Sequence, residues 1–160
     1  LWIALPPEME NIESAAQYLG GEHFQSQGPA RVILGRYGTA ASKVAAPTTI
    51  NYLDVALTQG QKWRYEPPAD HTVAWIAVHR GKIATPEVVE QGELAVFEES
   101  NRSLEFEALE ATGFILGSAV KHPHDLVLGM YSVHTNAHAL ARGEARIAEI
   151  GKRLQAEGRR

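Results

Sequence analysis

The side chains of this sequence that could hold a metal ion or move a proton are its 7 His and its 19 Asp and Glu, because the chain contains no Cys. That absence excludes disulfides, thiolate nucleophiles and cysteine-based zinc sites. His122 and His124 are separated by one residue, but Pro123 between them and Asp125 after them indicate an exposed loop. A metal site at His122 and His124 therefore stays an alternative to our first expectation, which is no metal ligand in this chain.

Two further histidines stand at the ends of predicted strands. His71 follows the break Pro67-Pro68-Ala69-Asp70, and we expect it near the open end of the domain. With Trp63 and Trp75 it could wall a small apolar pocket for a flat ligand, although aromatic side chains at such positions also simply fill a core. His79 ends a strand, where a solvated side chain is the simpler interpretation. The alternative in which this chain is itself an enzyme gathers His71, His79, His122 and His124 into one displaced metal site.

The histidines near the C-terminus, His134 and His138, have the i, i+4 spacing that can bind zinc on a helix. No third ligand is in view, so we interpret them as a surface pair. There is no Gly-x-Ser-x-Gly motif, no Ser/His/Asp set that can be argued into contact, and no glycine loop in a phosphate-binding context. We predict no catalytic residue.

The elements that must position these side chains are mostly strands, because apolar residues recur with a period of two through the middle of the chain. One predicted strand is apolar on both faces, which is typical of a strand buried on both sides. Many short strands separated by turn signals predict an all-β, double-sheet sandwich or jelly roll. The predicted strands cover residues 31–35, 50–57, 72–78, 88–89, 94–97, 104–108 and 113–120.

The two ends of the chain are interpreted separately. Leu140, Ile147, Ile150 and Leu154 form one stripe and predict a C-terminal helix over 136–156, capped by Thr135 or Asn136. Such a stripe must be buried somewhere. At the other end, the apolar run 1–5 predicts a strand already in progress, and 8–19 could form a short helix.

Charge and hydropathy exclude some classes of partner. The formal net charge is −4, and no Lys/Arg cluster occurs before the terminal Arg159-Arg160, so direct nucleic-acid binding is disfavoured. No apolar run could span a bilayer and no signal-peptide pattern is present, so we expect no membrane association and a cytoplasmic location. The chain begins with Leu1, and we expect it to be a fragment of a longer protein.

Three segments, in order, resemble the C-terminal (second cupin) domain of the pirin family of bicupins. They are Leu1-Trp2-Ile3-Ala4-Leu5-Pro6, the stretch from Ile50-Asn51-Tyr52-Leu53-Asp54 to Gly60, and Gly129-Met130-Tyr131-Ser132-Val133-His134-Thr135. In the last segment Met130, Ser132 and His134 depart from the family's usual Pro, Val and Asn. The resemblance implies a cupin-like sandwich with a C-terminal helix. It assigns residues 1–30 to a leading strand and linker, 31–128 to the β-sandwich and 136–156 to the helix of a single domain, 1–160.

What the resemblance implies about function concerns the whole protein. An iron site of three His and one Glu would lie in an N-terminal cupin upstream of Leu1, and family members are quercetin-degrading dioxygenases or iron-dependent transcriptional co-regulators. In this chain the positions of the two metal motifs read Glu66-Pro67-Pro68 and Glu98 to Arg102. We therefore expect a metal-free, non-catalytic half without a cofactor. Its expected partner is the N-terminal cupin of the same protein, and the isolated piece is expected to form a homodimer.

Overall fold

The computed structural model of the protein describes residues 2–46 and 48–158. Contacts group the chain into two compact units, which are described in turn. The sandwich unit comprises residues 17–121, and the terminal unit comprises residues 1–16 and 122–160.

The sandwich unit is built from two antiparallel sheets. Its strands are β1 (Ser26–Gln27), β2 (Ala30–Leu34), β3 (Arg36–Tyr37), β4 (Ala40–Ala41), β5 (Ile50–Leu57), β6 (Lys62–Tyr65), β7 (Val73–Arg80), β8 (Lys82–Thr85), β9 (Glu87–Glu90), β10 (Leu94–Val96), β11 (Leu104–Ala108) and β12 (Thr112–Ala119). A short 3₁₀ turn, Gly21–His23, precedes them. A six-stranded sheet has the order β1-β2-β5-β12-β7-β10, a four-stranded sheet has the order β6-β11-β8-β9, and β3 and β4 form a separate hairpin.

Alternate residues of these strands face one shared core. In β5, Leu53, Val55 and Leu57 are buried, and Phe114 and Leu116 of the neighbouring strand β12 are fully buried beside them. The four-stranded sheet contributes apolar side chains to the same cluster. Each fully buried side chain of this size stabilises the fold by about 1.5–3 kcal/mol. The predicted double-sheet sandwich is confirmed.

The positions of the strands agree with the sequence-based predictions more closely than the burial of their residues does. All seven predicted segments overlap strands, and 50–57 and 104–108 coincide with β5 and β11. The expectation that 72–78 is buried on both faces is wrong. Ala74, Ile76 and Val78 are buried, whereas Trp75 and Ala77 on the other face are half-buried. The alternating apolar residues therefore mark one buried face and one partly open face.

The terminal unit contains a small hairpin and one long helix. Strands β13 (Val127–Leu128) and β14 (Val133–His134) pair, and helix α1 spans Ala137–Ala156, as predicted. The Asn136 side chain caps it by accepting a hydrogen bond from the Ala139 N–H at 2.8 Å. Among the described residues, no helix combines the length and apolarity that a membrane span needs.

The predicted structure of the first 19 residues is wrong. Residues 2–5 form no strand, and the region 8–19 contains only a turn, in which Met9 and Glu10 donate backbone hydrogen bonds to the Pro6 carbonyl. Leu1 lies outside the described residues. Pro6 and Pro7 lack the N–H groups that a strand ladder or a helix interior requires, which explains why the apolar run does not continue.

The apolar stripe of α1 is also less buried than expected. Ala139 is the buried residue of the helix, whereas Ile147 is 39% exposed and Leu140, Ile150 and Leu154 are half-buried.

Candidate functional site

A chain of hydrogen-bonded polar side chains crosses the interior of the sandwich unit. The His71 Nδ1 atom lies 2.8 Å from the Ser118 hydroxyl, which lies 2.7 Å from the Tyr65 hydroxyl. The Asn51 amide donates to the Tyr65 hydroxyl at 2.9 Å, and its carbonyl oxygen accepts from the Arg36 backbone N–H at 2.9 Å. All four side chains from His71 to Asn51 are buried. We call this set the interior polar chain.

Counting donors and acceptors shows which atom donates each hydrogen bond of the interior polar chain. Tyr65 already accepts from Asn51, so its own proton has Ser118 as its acceptor. Ser118 must then donate to His71 Nδ1, which requires the neutral imidazole with its proton on Nε2. The reverse direction would leave the Tyr65 proton without an acceptor, at a cost of about 1–3 kcal/mol.

Burial shifts both titratable groups of the interior polar chain toward their neutral forms. It lowers the pKa of His71, an effect that the nearby Asp70 carboxylate opposes only in part. It raises the pKa of Tyr65, although the hydrogen bonds with Ser118 and Asn51 act in the opposite direction. The interior polar chain is therefore an uncharged network, with no group poised as an ionised nucleophile or a general acid.

The three residues predicted to wall one pocket do not lie together. Trp63 faces the interior, where its ring packs on Phe106 with centroids 5.6 Å apart. His71 also faces inward. Trp75 lies on the opposite face of the six-stranded sheet, over Gly117 and beside Tyr52. The prediction of a pocket shared by Trp63, His71 and Trp75 is therefore wrong, because strand alternation turns Trp75 outward while its neighbours Ala74 and Ile76 turn inward.

An open cleft does exist beside Trp63, and we call it the aromatic cleft. Its volume is about 630 Å³, and Trp63, Phe97 and Phe106 line it together with Thr85 and Leu104. Trp63 and Phe97 are half-buried, so part of each ring can be reached from solvent. Charged side chains of both signs also line the cleft, namely Lys62, Arg64, Glu105 and Glu107.

The residues inside the sandwich do not fit an iron site of three His and one Glu. Of the histidines in the sandwich unit, His71 is buried, whereas His23 and His79 are 39% and 53% exposed at their side chains. The oxygen atoms around His71 already bond one another. Glu66, Pro67 and Pro68 follow β6 rather than forming part of it. No group of three or more His, Asp or Glu side chains among residues 2–46 and 48–158 could hold a metal ion.

The alternative metal ligands are separated or engaged elsewhere. His79 lies over Gly113 on the outward face of the sheet, so it cannot share an ion with His71. In the terminal unit, the His122 and His124 rings are 5.6 Å apart. His122 Nδ1 lies 3.1 Å from the His124 carbonyl oxygen, and its Nε2 lies 3.3 Å from the Leu5 carbonyl oxygen.

The terminal unit contains a buried cluster that sequence reasoning missed, the acid cluster of Glu10, His134 and Thr135. One Glu10 carboxylate oxygen accepts the Thr135 backbone N–H at 2.7 Å and the other accepts the Thr135 hydroxyl at 2.9 Å. His134 Nδ1 lies 3.5 Å from the same carboxylate and forms no hydrogen bond. The expectation that His134 and His138 form a surface pair is wrong, because His134 is 5% exposed and only His138 faces solvent.

The acid cluster shifts the titration of its carboxyl group. Burial alone would raise the pKa of Glu10, but the hydrogen bonds from Thr135 and the adjacent His134 together hold it below its ordinary value. The carboxylate form therefore ties the first residues of the chain to the start of helix α1. The resemblance had pointed to Thr135 and marked His134 as a departure, but nothing in the sequence marked Glu10, which lies 125 positions from Thr135.

Comparison with known proteins defines the fold. The sequence matches no protein-family profile and no curated protein. Quercetin 2,3-dioxygenase from Acinetobacter baumannii superimposes with a TM-score of 0.83 at 17% identity, covering 92% of this chain and 54% of that one. YhhW from Escherichia coli superimposes with a TM-score of 0.51 at 15% identity, covering 64% of this chain and 43% of that one. YhhW has also been solved as a bacterial pirin in complex with nickel(II).

These structures establish a cupin-like β-sandwich with a C-terminal helix, of the type found in quercetin dioxygenase and pirin structures. The predicted fold class and the resemblance in fold are confirmed. This chain spans about half the length of the proteins it matches.

Proposed function

We propose that this chain is the metal-free half of a two-cupin, pirin-like protein, and that it supports an upstream cupin that binds iron. The observation that carries the proposal is the interior polar chain. His71, Ser118, Tyr65 and Asn51 saturate one another inside the sandwich. A metal placed there would have to break an uncharged network and would gain a single imidazole.

The proposed partner is the N-terminal cupin of the same protein, which would contribute the iron. Apolar side chains of the terminal unit favour such a partner, because Trp2, Leu128 and Met130 are each more than 70% exposed. The half-buried stripe of α1 lies in the same unit. We expect the isolated chain to form homodimers for this reason. The proposal includes a cytoplasmic location and excludes direct contact with nucleic acid or a membrane.

The activity of the whole protein is the second part of the proposal. A quercetinase-like dioxygenase and a redox-responsive transcriptional co-regulator are both compatible with an iron-bearing first half. In either case this chain would stabilise the protein and close one side of the site. None of its residues is proposed to be catalytic.

Metal uptake tests the proposal directly. The purified chain would be stripped with a chelator, incubated anaerobically with ferrous iron, nickel or zinc, desalted and analysed by mass spectrometry of the metal. We expect uptake well below one equivalent for each ion. The Escherichia coli pirin YhhW, treated in parallel with nickel, provides the positive control.

Two variants make the negative result informative. In His71→Asn the buried imidazole is lost, and in the double variant His122→Ala/His124→Ala the pair of the terminal unit is lost. Uptake near one equivalent that disappears in either variant would overturn the metal-free assignment and favour the alternative, a domain with its own dioxygenase site.

A second candidate function, binding of a planar aromatic ligand, is favoured by the aromatic cleft. Quercetin would be titrated while Trp fluorescence is followed, with the variants Trp63→Phe and Trp75→Phe as a matched pair. We expect saturable quenching that Trp63→Phe abolishes and Trp75→Phe retains, because Trp63 lines the cleft and Trp75 faces the other side of the sheet. Quenching that never saturates, or that both variants retain, would remove this candidate.

A further inference from the structure

A second cleft in the sandwich unit is lined by hydrogen-bond donors, and we call it the donor cleft. Its volume is about 590 Å³. The β3–β4 hairpin contributes Arg36 and Tyr37, β6 contributes Arg64, and the buried Asn51 also lines it. It is distinct from the interior polar chain, although Asn51 belongs to both.

The wall formed by the hairpin is fixed in place before any ligand arrives. Gly35 has a φ of +79° and packs so closely that a Cβ atom would clash with the Ile50 carbonyl oxygen and with the Asn51 side-chain oxygen. The Arg36 backbone N–H is then held by the Asn51 side chain at 2.9 Å. At the turn, Gly38 also has a positive φ. A ligand would therefore meet Arg36 and Tyr37 without first ordering the loop, which reduces the entropy lost on binding.

Several donors of the donor cleft have no acceptor of their own. The Tyr37 oxygen accepts the Trp63 indole N–H at 3.0 Å, and the Tyr37 proton is donated to no described residue. Arg36 forms no ion pair with any acidic side chain in the described ranges. Arg64 lies 3.4 Å from Glu66 and 4.0 Å from Glu105, both of which are exposed. Two guanidinium groups and a phenol proton thus face one carboxylate in the lining, that of Glu66.

We propose that the donor cleft binds a small organic carboxylate, with Arg36 as its main anchor and the Tyr37 hydroxyl as a second donor. The planar, two-oxygen form of a carboxylate matches the fork of a guanidinium group. Arg36 is the cation of this cleft without an acidic partner among the described residues, whereas Arg64 lies near Glu66 and Glu105. The site does not depend on the metal-free assignment, since it uses no histidine and shares only Asn51 with the interior polar chain.

The three Trp residues of the chain provide the test. Sodium benzoate would be titrated into ¹⁵N-labelled protein at constant ionic strength, with sodium chloride, sodium phosphate and neutral benzamide as parallel probes. We expect benzoate to shift the Trp63 indole N–H resonance saturably, because that proton bonds the Tyr37 oxygen. The indole resonances of Trp2 and Trp75 should not shift. Binding should persist from pH 6 to pH 9, since guanidinium groups stay protonated throughout.

Variants identify the anchor. Arg36→Gln retains the backbone contact to Asn51 and should weaken benzoate binding roughly tenfold or more, as expected for a charge-assisted hydrogen bond. Tyr37→Phe should weaken it less. Arg102→Gln, at an exposed arginine outside the lining of the donor cleft, is the matched control and should leave binding unchanged. The proposal would be overturned if Arg36→Gln bound benzoate as tightly as the unchanged protein, or if chloride or benzamide shifted the Trp63 resonance as much as benzoate does. It would also be overturned if phosphate produced a saturable shift and benzoate did not.

Discussion

The interior polar chain and the acid cluster both bury polar groups, and they do so in two different ways. In the sandwich unit the interior polar chain is neutral, and each of its links is a hydrogen bond of 2.7–2.9 Å. In the terminal unit the acid cluster is built around a carboxylate, and one of its buried atoms, His134 Nδ1, forms no hydrogen bond. The first arrangement avoids the cost of burying charge, whereas the second offsets that cost with two donors from Thr135.

The comparison shows that burial alone does not set the direction of a pKa shift. His71 is buried, and the loss of solvation outweighs the opposing effect of the nearby Asp70 carboxylate, so its pKa is lowered. Glu10 is buried as well, but the hydrogen bonds from Thr135 together with His134 outweigh desolvation and lower its pKa. Both shifts favour the unprotonated group. Acid should therefore weaken both regions, at different pH values.

Breaking the interior polar chain at its centre should have the largest effect. In Ser118→Ala, both His71 Nδ1 and the Tyr65 proton lose their partner. With about 1–3 kcal/mol for each stranded group, the free energy of unfolding should fall by roughly 2–6 kcal/mol. Urea unfolding followed by Trp fluorescence measures this loss. Ser26→Ala, on the exposed strand β1, is the control and should cost less than about 0.5 kcal/mol. Equal stability of the two variants would mean that the interior polar chain contributes nothing to the free energy of unfolding.

Removing the carboxylate of the acid cluster should have the next largest effect. Glu10→Ala leaves the Thr135 N–H and hydroxyl without their acceptor and should destabilise the terminal unit by about 1.5–3 kcal/mol. The readout is amide hydrogen exchange at Thr135 and in the first turn of α1, which should quicken. Glu10→Gln retains an acceptor and should lose less, and Glu13→Ala at an exposed acid should change nothing. Unchanged Thr135 exchange in Glu10→Ala would contradict the geometry.

Acidification should separate the two regions by the order in which they weaken. The folded pKa of His71 is lowered, so its contribution to stability is complete above its ordinary value of 6.5 and is lost as the pH falls below that value. The contribution of Glu10 is complete above 4.5 and is lost only below it. Hydrogen exchange at stepwise lower pH should therefore show β12 opening before Thr135. His71→Asn should remove the first step and retain the second.

The difference between the two regions also explains what could be read from the sequence. The strands were predictable because apolar residues recur at every second position, strictly in β11 and along the face of β5 that carries Leu53, Val55 and Leu57. Helix α1 was predictable from its apolar stripe, and its cap at Asn136 from the preference for Asn at the N-cap position. These signals are local. Glu10 and Thr135 are 125 positions apart, and no local pattern marks an acid that a distant backbone N–H will hold.

The errors have physical causes of the same kind. The sequence predicts Trp75 in one pocket with Trp63, but both faces of its strand are apolar, and periodicity cannot say which of two apolar faces turns inward. The first five residues were predicted to be a strand from their hydropathy, but hydropathy does not supply a neighbouring strand to pair with. The sequence predicts His71 as a pocket wall near the open end of the domain, whereas the structure places it at the end of the interior polar chain.

The smallest expected effect comes from a third polar set, which is exposed and so isolates the role of burial in the other two. On the outward face of the six-stranded sheet, Arg31 lies 2.7 Å from Asp54, and His79 lies 3.4 Å from the same carboxylate. As in the acid cluster, a carboxylate lies beside a histidine, but these side chains are partly exposed and solvent screens their charges. Asp54→Asn should cost about 0.2–1 kcal/mol in urea unfolding, and added salt should erase the difference. A double-mutant cycle with Arg31→Gln measures the pair itself. A coupling as large as the loss in Glu10→Ala would mean that charge, rather than burial of the charge, sets the strength of these clusters.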